Sequence, residues 1–189
     1  MIYTVTVSQA IDYVVHLDSF ETGATNRTTA EEYYFGGKGI NVSRVLKELG
    51  LPSVALGFVG GFTGQALEKG LKDAGIETDF VHVREGVTRI NVKIKAEKET
   101  EINGQGAIPD DGELCRLTKK LEKMENGDIL IISGNIPAAM PQDTYDRLMD
   151  AAGGKDIRLI VDTNGELLVR ALRYRPFLVK PNLEELKGI

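Results

Sequence analysis

The sequence predicts an α/β fold: a mostly parallel sheet covered by helices on both faces, with a second, small sheet set into it. Three observations carry this. Short apolar runs such as Asp128–Ser133 (DILIIS) and Ile157–Thr163 (IRLIVDT) alternate with helical stretches, the pattern of a parallel sheet buried on both faces. Short alternating strands at Tyr13, Glu31 and Thr88 break into that order and need a sheet of their own. Glycine is frequent, 21 of 189 residues, so many positions require tight turns or close backbone approach.

Taken in order, Ile2–Val7 (IYTVTV) alternates as a strand, and Tyr13–Leu17 (YVVHL) and Glu31–Phe35 are short strands around a polar loop at Glu21–Asn26. Gly36–Gly50 (GGKGINVSRVLKELG) is a helix with Ile40, Val45, Leu46 and Leu49 on one stripe and Gly50 as its stop. Val54–Val59 is an apolar strand, Gly64–Ala74 a helix and Phe80–Val83 a strand. Thr88–Lys95 and Thr100–Ile102 pair as a hairpin with one wet face. Pro109–Asp111 opens a helix that runs to Met124. Asp128–Ser133 is a buried strand, Pro141–Ala152 a helix, Ile157–Thr163 a strand, Gly165–Leu172 a helix and Phe177–Lys180 a strand. A further helical pattern begins at Leu183 and stops at Gly188-Ile189. A helix of under two turns nucleates poorly, so the expectation is a fold whose C-terminal part is missing.

Composition excludes several classes. The net charge of −5 and the lack of a basic run argue against nucleic acid as a partner. No apolar run approaches the ~20 residues that span a bilayer, so no membrane role is expected. A single cysteine, Cys115, makes no internal disulfide, and the expected compartment is the reducing cytoplasm.

The chemistry concentrates where strands end. In GGKGIN, Gly36–Asn41, glycines precede a helix whose N-terminus offers free N–H groups and a positive end. The spacing is neither that of a P-loop nor that of a dinucleotide fingerprint. The segment reads as a tight turn or as an anion and hydroxyl site, and Lys38 and Asn41 favour the site. Asp12, just after the first strand, is a turn residue or an acceptor for sugar hydroxyls. Arg89, in TRIN, is a wet-face residue or a bidentate phosphate grip. Arg27 invites the same two readings. Ser133-Gly134-Asn135, Asp162-Thr163-Asn164-Gly165 and Lys180–Glu185 (KPNLEE) close three successive strands with polar residues. Folding alone does not ask for that.

The segments GGKGINVSRVLKELG, ALGFVGGFTG, TRINVKIK, ETEING, VDTNGE and PFLVKPNLEEL resemble, in order and over nearly the whole chain, the 1-phosphofructokinase and tagatose-6-phosphate kinase branch of the PfkB (ribokinase-like) carbohydrate kinases. TRIN with ETEING is the more specific marker. The resemblance implies a ribokinase-like three-layer core over residues 1–189, incomplete, with a β-sheet lid from about 12–35 and 88–102. It implies a homodimer in which two lids clasp. Substrate contacts would fall on Asp12, Arg27, Gly37, Lys38, Asn41, Arg89 and Ser133. ATP and Mg²⁺ would lie against Lys180, Asn182 and Glu185, with Glu185 reaching the metal through water. The implied reaction is phosphorylation of fructose 1-phosphate to fructose 1,6-bisphosphate. Tagatose-6-phosphate phosphorylation, or a non-catalytic sugar-phosphate-binding fragment, are the alternatives. Three departures stand out. Ser8-Gln9-Ala10 replaces the usual Asn-Pro-Ala, and SGNIP at Ser133–Pro137 replaces SGSLP. The G-A-G-D segment with the catalytic aspartate is expected beyond Ile189.

Overall fold

The computed structural model describes residues 1–187; Gly188 and Ile189, where the chain was expected to interrupt a helix, lie outside the described residues. The strands are β1 (Ile2–Thr6), β2 (Ala10–His16), β3 (Ala30–Gly36), β4 (Ser53–Gly60), β5 (Glu77–Thr78), β6 (Val81–Val83), β7 (Arg89–Lys95), β8 (Thr100–Asn103), β9 (Ile129–Ser133), β10 (Arg158–Asp162) and β11 (Leu178–Val179). The helices are α1 (Lys38–Glu48), α2 (Gly61–Asp73), α3 (Asp111–Leu121), α4 (Thr144–Ala152), α5 (Gly165–Ala171) and α6 (Leu183–Lys187).

The main sheet runs β11-β10-β9-β1-β4-β5, with β6 pairing the far end of β4, and every pairing is parallel. Period-two alternation sorts the side chains of β4: Val54, Leu56 and Phe58 pack toward α3 and α4, while Ala55 and Val59 pack toward α1 and α2. Leu117, Leu121 and Leu148 are fully buried on the first side; Leu67 and Leu71 are fully buried on the second. The result is the three-layer ribokinase-like core that the sequence predicts. Helix α3 starts with a capping box: Asp110 accepts from the Glu113 N–H at 2.6 Å, and Glu113 accepts from the Asp110 N–H at 2.9 Å.

The second sheet has the order β3-β2-β7-β8. The expected hairpin of β7 and β8 is antiparallel, as is β2 with β3, but the two halves join through a parallel β2–β7 pairing. Its strands span 10–36 and 89–103. The lid seats on the core where Phe35 lies over Gly70 of α2; a Cβ at Gly70 would approach the Phe35 ring to 1.8 Å.

Two expectations change. β2 begins at Ala10, so Asp12 belongs to the lid strand rather than to a turn at the end of β1. Only Ile40 of the α1 stripe is buried; Val45 and Leu49 are 60% and 68% exposed. The buried face of α1 is Gly39, Ile40 and Ser43. Small residues let the helix lie close on β1, where the Thr4 and Ser43 hydroxyls are 2.7 Å apart. β5, only two residues long, lay below what periodicity detects.

Candidate active site

Thr6 ends β1 and ties three elements together. Its hydroxyl accepts from the Gly39 N–H at 2.7 Å and donates to the Ser133 carbonyl at 3.1 Å. The first turn of α1 is thereby held against the carboxyl ends of β1 and β9, where ligands bind in open parallel sheets. Two glycines make this possible. Gly37, the residue before the helix, has φ 135°, a left-handed value that disfavours any side chain. At Gly39 a Cβ would lie 2.6 Å from the Thr6 hydroxyl.

Between this edge and the lid lies a cleft of about 480 Å³, lined by Thr6, Ser8, Gly37, Lys38, Arg89 and Asn135 among others. Arg89, first residue of β7, donates from Nη2 to the Ser8 carbonyl at 3.4 Å. Asp12 lies across from Asn91 in the β2–β7 ladder and accepts from its amide at 2.8 Å. The Lys93 ammonium is 3.9 Å from the other carboxylate oxygen. A Cβ on Gly36 would meet that same oxygen at 3.0 Å, so the Asp12 carboxylate sits directly over the glycine turn.

A second depression, about 530 Å³, opens on the other side of Lys38 and is lined by Asn41, Asp162, Lys180, Asn182 and Glu185. Lys38 borders both spaces. Its ammonium is 3.8 Å from Asp162 and 3.7 Å from Glu185, and Lys180 is 3.5 Å from Asp162. These separations exceed hydrogen-bond length, so two cations and two carboxylates are gathered without being locked together. The Oδ1 of Asp162 has no hydrogen-bond partner among the described residues. Asn182 and Glu185 cap α6 reciprocally, each N–H donating to the other's side chain at 2.8 Å. The Asn182 N–H, followed by the nearby Lys38 and Lys180, holds the Glu185 carboxyl below the usual carboxylate range.

The structure brings Gly37, Lys38 and Arg89 to one cleft, with Asp12 at the base of the lid beside them. Lys180, Asn182 and Glu185 gather as expected. Three residues fall elsewhere. Asn41 borders the second depression, because the next turn of α1 carries it past the lid. Ser133 is fully buried, its carbonyl holding Thr6 and its hydroxyl without a hydrogen-bond partner among the described residues. Arg27 is exposed in the loop between β2 and β3. That loop leaves β2 at His16, the end opposite Ala10 and Arg89, so within one chain Arg27 stands a full seven-residue strand away from the cleft. Thr6 and Asn91 were not among the expected site residues. Asn91 carries a readable signal, since it lies two positions after Arg89 and so on the same face of the strand.

No group of three or more acidic, histidine or cysteine side chains that could hold a metal ion occurs among the described residues. No helix among them is long and apolar enough to cross a membrane.

Comparison with known proteins shows the family. The chain is 45% identical over 186 residues to a 1-phosphofructokinase of Bacillus subtilis (strain 168), covering 98% of this chain and 61% of that protein. It is 41% identical to a D-tagatose-1-phosphate kinase of Bacillus licheniformis, again over 98% of this chain and 61% of the relative. The chain thus spans less than two thirds of the curated relatives it matches. The tetrameric inhibited form of phosphofructokinase-2 from Escherichia coli superimposes with a TM-score of 0.89 at 32% identity, covering 99% of this chain and 62% of that one. The pattern of the pfkB family carbohydrate kinases matches residues 1–189. With the glycine turn, the lid and the two depressions in place, the chain belongs to the pfkB family of carbohydrate kinases.

Proposed function

We propose that this chain forms the sugar-phosphate side, and the start of the nucleotide side, of an ATP-dependent kinase acting on a ketohexose 1-phosphate, with fructose 1-phosphate converted to fructose 1,6-bisphosphate. The observation that carries the reading is Lys38. It stands between a cleft bordered by Arg89 and a depression bordered by Lys180 and Glu185, where a phosphoryl group passing from one ligand to another would have to travel. Phosphoryl transfer asks mainly for positioning and charge neutralisation. Arg89 and Lys38 supply cations for a substrate that already bears a phosphate. Asp12, held by Asn91, accepts from sugar hydroxyls, and Gly37 allows close approach of the sugar. Asn41, Lys180 and Asn182 border the nucleotide.

Magnesium fits the second depression in a limited way. It prefers oxygen ligands and keeps several waters, and the depression offers the carboxylates of Glu185, which is ionised, and Asp162. Bound there it would neutralise nucleotide phosphate charge, with Glu185 acting through its water shell. The proton acceptor for the sugar hydroxyl is expected outside residues 1–189.

Tagatose 1-phosphate is the second substrate reading, favoured by the D-tagatose-1-phosphate kinase among the relatives. We also infer self-association through the lid, supported by the exposed Tyr33 (67%) and Ile102 (58%) on a sheet whose polar face already covers the cleft, and a cytoplasmic location.

Calorimetric titration of the chain with fructose 1-phosphate, tagatose 1-phosphate and unphosphorylated fructose tests the substrate class. Arg89→Ala is expected to weaken sugar-phosphate binding by about 1.5–3 kcal/mol, the range for hydrogen bonds to charged groups. Binding of fructose should hardly change. Equal losses for both ligands would sink the assignment.

A further inference from the structure

Gln9 lies between β1 and β2 and is 2% exposed. Its amide nitrogen donates to the Thr6 carbonyl at 2.6 Å and approaches the Leu56 carbonyl at 3.4 Å. Those two acceptors fix which end of the amide is nitrogen, because an oxygen turned toward them would face only other oxygens. Gly57 makes the room: a Cβ there would lie 2.1 Å from the Gln9 nitrogen and 2.0 Å from the Thr6 carbonyl. The amide oxygen therefore points the other way, and it is buried with no partner among the described residues.

The Nε of Arg89 is in the same condition. Gln9 and Arg89 both line one small pocket of about 10 Å³, which is close to the room one water needs. A buried acceptor and a buried donor without partners are each unfavourable, and the two residues line the same small pocket. One water held between them would satisfy both, its oxygen accepting from the Arg89 Nε–H and one of its hydrogens going to the Gln9 oxygen.

We propose that Gln9 is a positioning residue, which aims the Arg89 guanidinium at the substrate phosphate through one buried water. This rests on the reading of Arg89 as the phosphate anchor. Arg89 borders both the small pocket and the large cleft, whereas Gln9 borders only the small pocket. The guanidinium is planar, so a hydrogen bond at Nε sets the direction in which the two Nη groups present their forked donors. The one hydrogen bond of the group among the described residues, Nη2 to the Ser8 carbonyl, is long at 3.4 Å and leaves that direction loosely held.

The test has two arms. In a high-resolution crystal structure of the unaltered protein, a water is expected within about 3.2 Å of both Gln9 Oε1 and Arg89 Nε. Density without a shared water overturns the proposal, whether or not any variant folds. In the second arm Gln9→Met keeps the length of the side chain and removes its polar atoms. Affinity for fructose 1-phosphate is expected to fall roughly two- to tenfold, the worth of one ordinary hydrogen bond, with affinity for fructose unchanged. In an Arg89→Ala background the same substitution should cost nothing further. An equal loss in that background, or an equal loss for fructose, shows that Gln9 does not act through Arg89. If Arg89→Ala itself leaves fructose 1-phosphate binding intact, the phosphate-anchor reading of Arg89 fails, and the positioning role fails with it; a shared water would then be purely structural.

Discussion

The Asp12 carboxylate has one oxygen on the Asn91 amide at 2.8 Å and the other close over Gly36. An asparagine in its place keeps the first contact through its own oxygen, but turns a donor toward the space where sugar hydroxyls would donate. Asp12→Asn is therefore expected to weaken sugar-phosphate binding by about 1.5–3 kcal/mol, the range for hydrogen bonds to charged groups, while the thermal midpoint stays put. Unchanged binding would make Asp12 a lid residue only. Glu185 gives a pH-dependent expectation. Its folded pKa is lowered, so its contribution to holding α6 is complete above the ordinary glutamate value of about 4.3 and is lost as pH falls toward the lower folded value. A carbon-detected NMR titration should place its midpoint below an ordinary glutamate. Lys38→Met should move that midpoint only part of the way back, because the Asn182 N–H is the larger cause. A midpoint at the ordinary value in the unaltered chain would contradict the cap geometry.

Among the elements, α2 makes the sharpest case. Gly70 lies inside that helix, where Gly→Ala ordinarily stabilises by roughly 0.8–1 kcal/mol. Here the added methyl would meet the Phe35 ring at 1.8 Å, so Gly70→Ala is expected to lower the thermal midpoint and to speed hydrogen exchange in β2 and β3. Adding Phe35→Ala should cancel the clash and recover much of the helix gain; a stabilising Gly70→Ala on its own would mean the lid is not seated on α2. The same contact shows where the sequence was legible. Apart from the two-residue β5, the strands of the main sheet were readable because parallel strands buried on both faces are continuous apolar runs, as in DILIIS and IRLIVDT. Lys180–Glu185 stood out because polar residues cluster where such a run stops, whereas Lys38 and Arg89 stood out as cations beside a glycine turn and at the start of a lid strand. The start of β2 was read late, at Tyr13, because Ala10-Ile11 do not distinguish a strand start from a turn. The α1 stripe misled because Gly39 and Ser43, small rather than apolar, make the close contact with β1. Arg27, Asn41 and Ser133 needed strand direction and helix rotation, which no local spacing supplies. The parallel joining of β2 to β7 was hidden for the same reason: nothing in either strand names its partner.

At the scale of the whole molecule, several large apolar side chains are exposed. Val45 is 60% exposed, and Phe177, Leu183 and Leu186 are 68%, 67% and 58% exposed; Val45 borders the same depression as Lys180 and Glu185. Apolar exposure of this kind favours association. Light scattering of the 189-residue chain is expected to rise with concentration, and Val45→Lys with Leu183→Lys should suppress that rise while leaving sugar-phosphate binding unchanged. Scattering that ignores both substitutions would place the sticky surface elsewhere, the lid being the next candidate. The lid has a consequence in time as well as in space. Asp12 and its partner Asn91 are 79 residues apart in sequence, and β8, which completes the sheet, ends at Asn103. The β2–β3 hairpin can form early and locally, but its neighbour must wait until the intervening α1, β4, α2, β5 and β6 have been made. Closing so long a loop is entropically costly and slow. On the ribosome the chain must emerge as far as Lys95 before β2 finds its parallel neighbour, so the β2–β3 hairpin waits with one edge unpaired while β4 and α2 are being made.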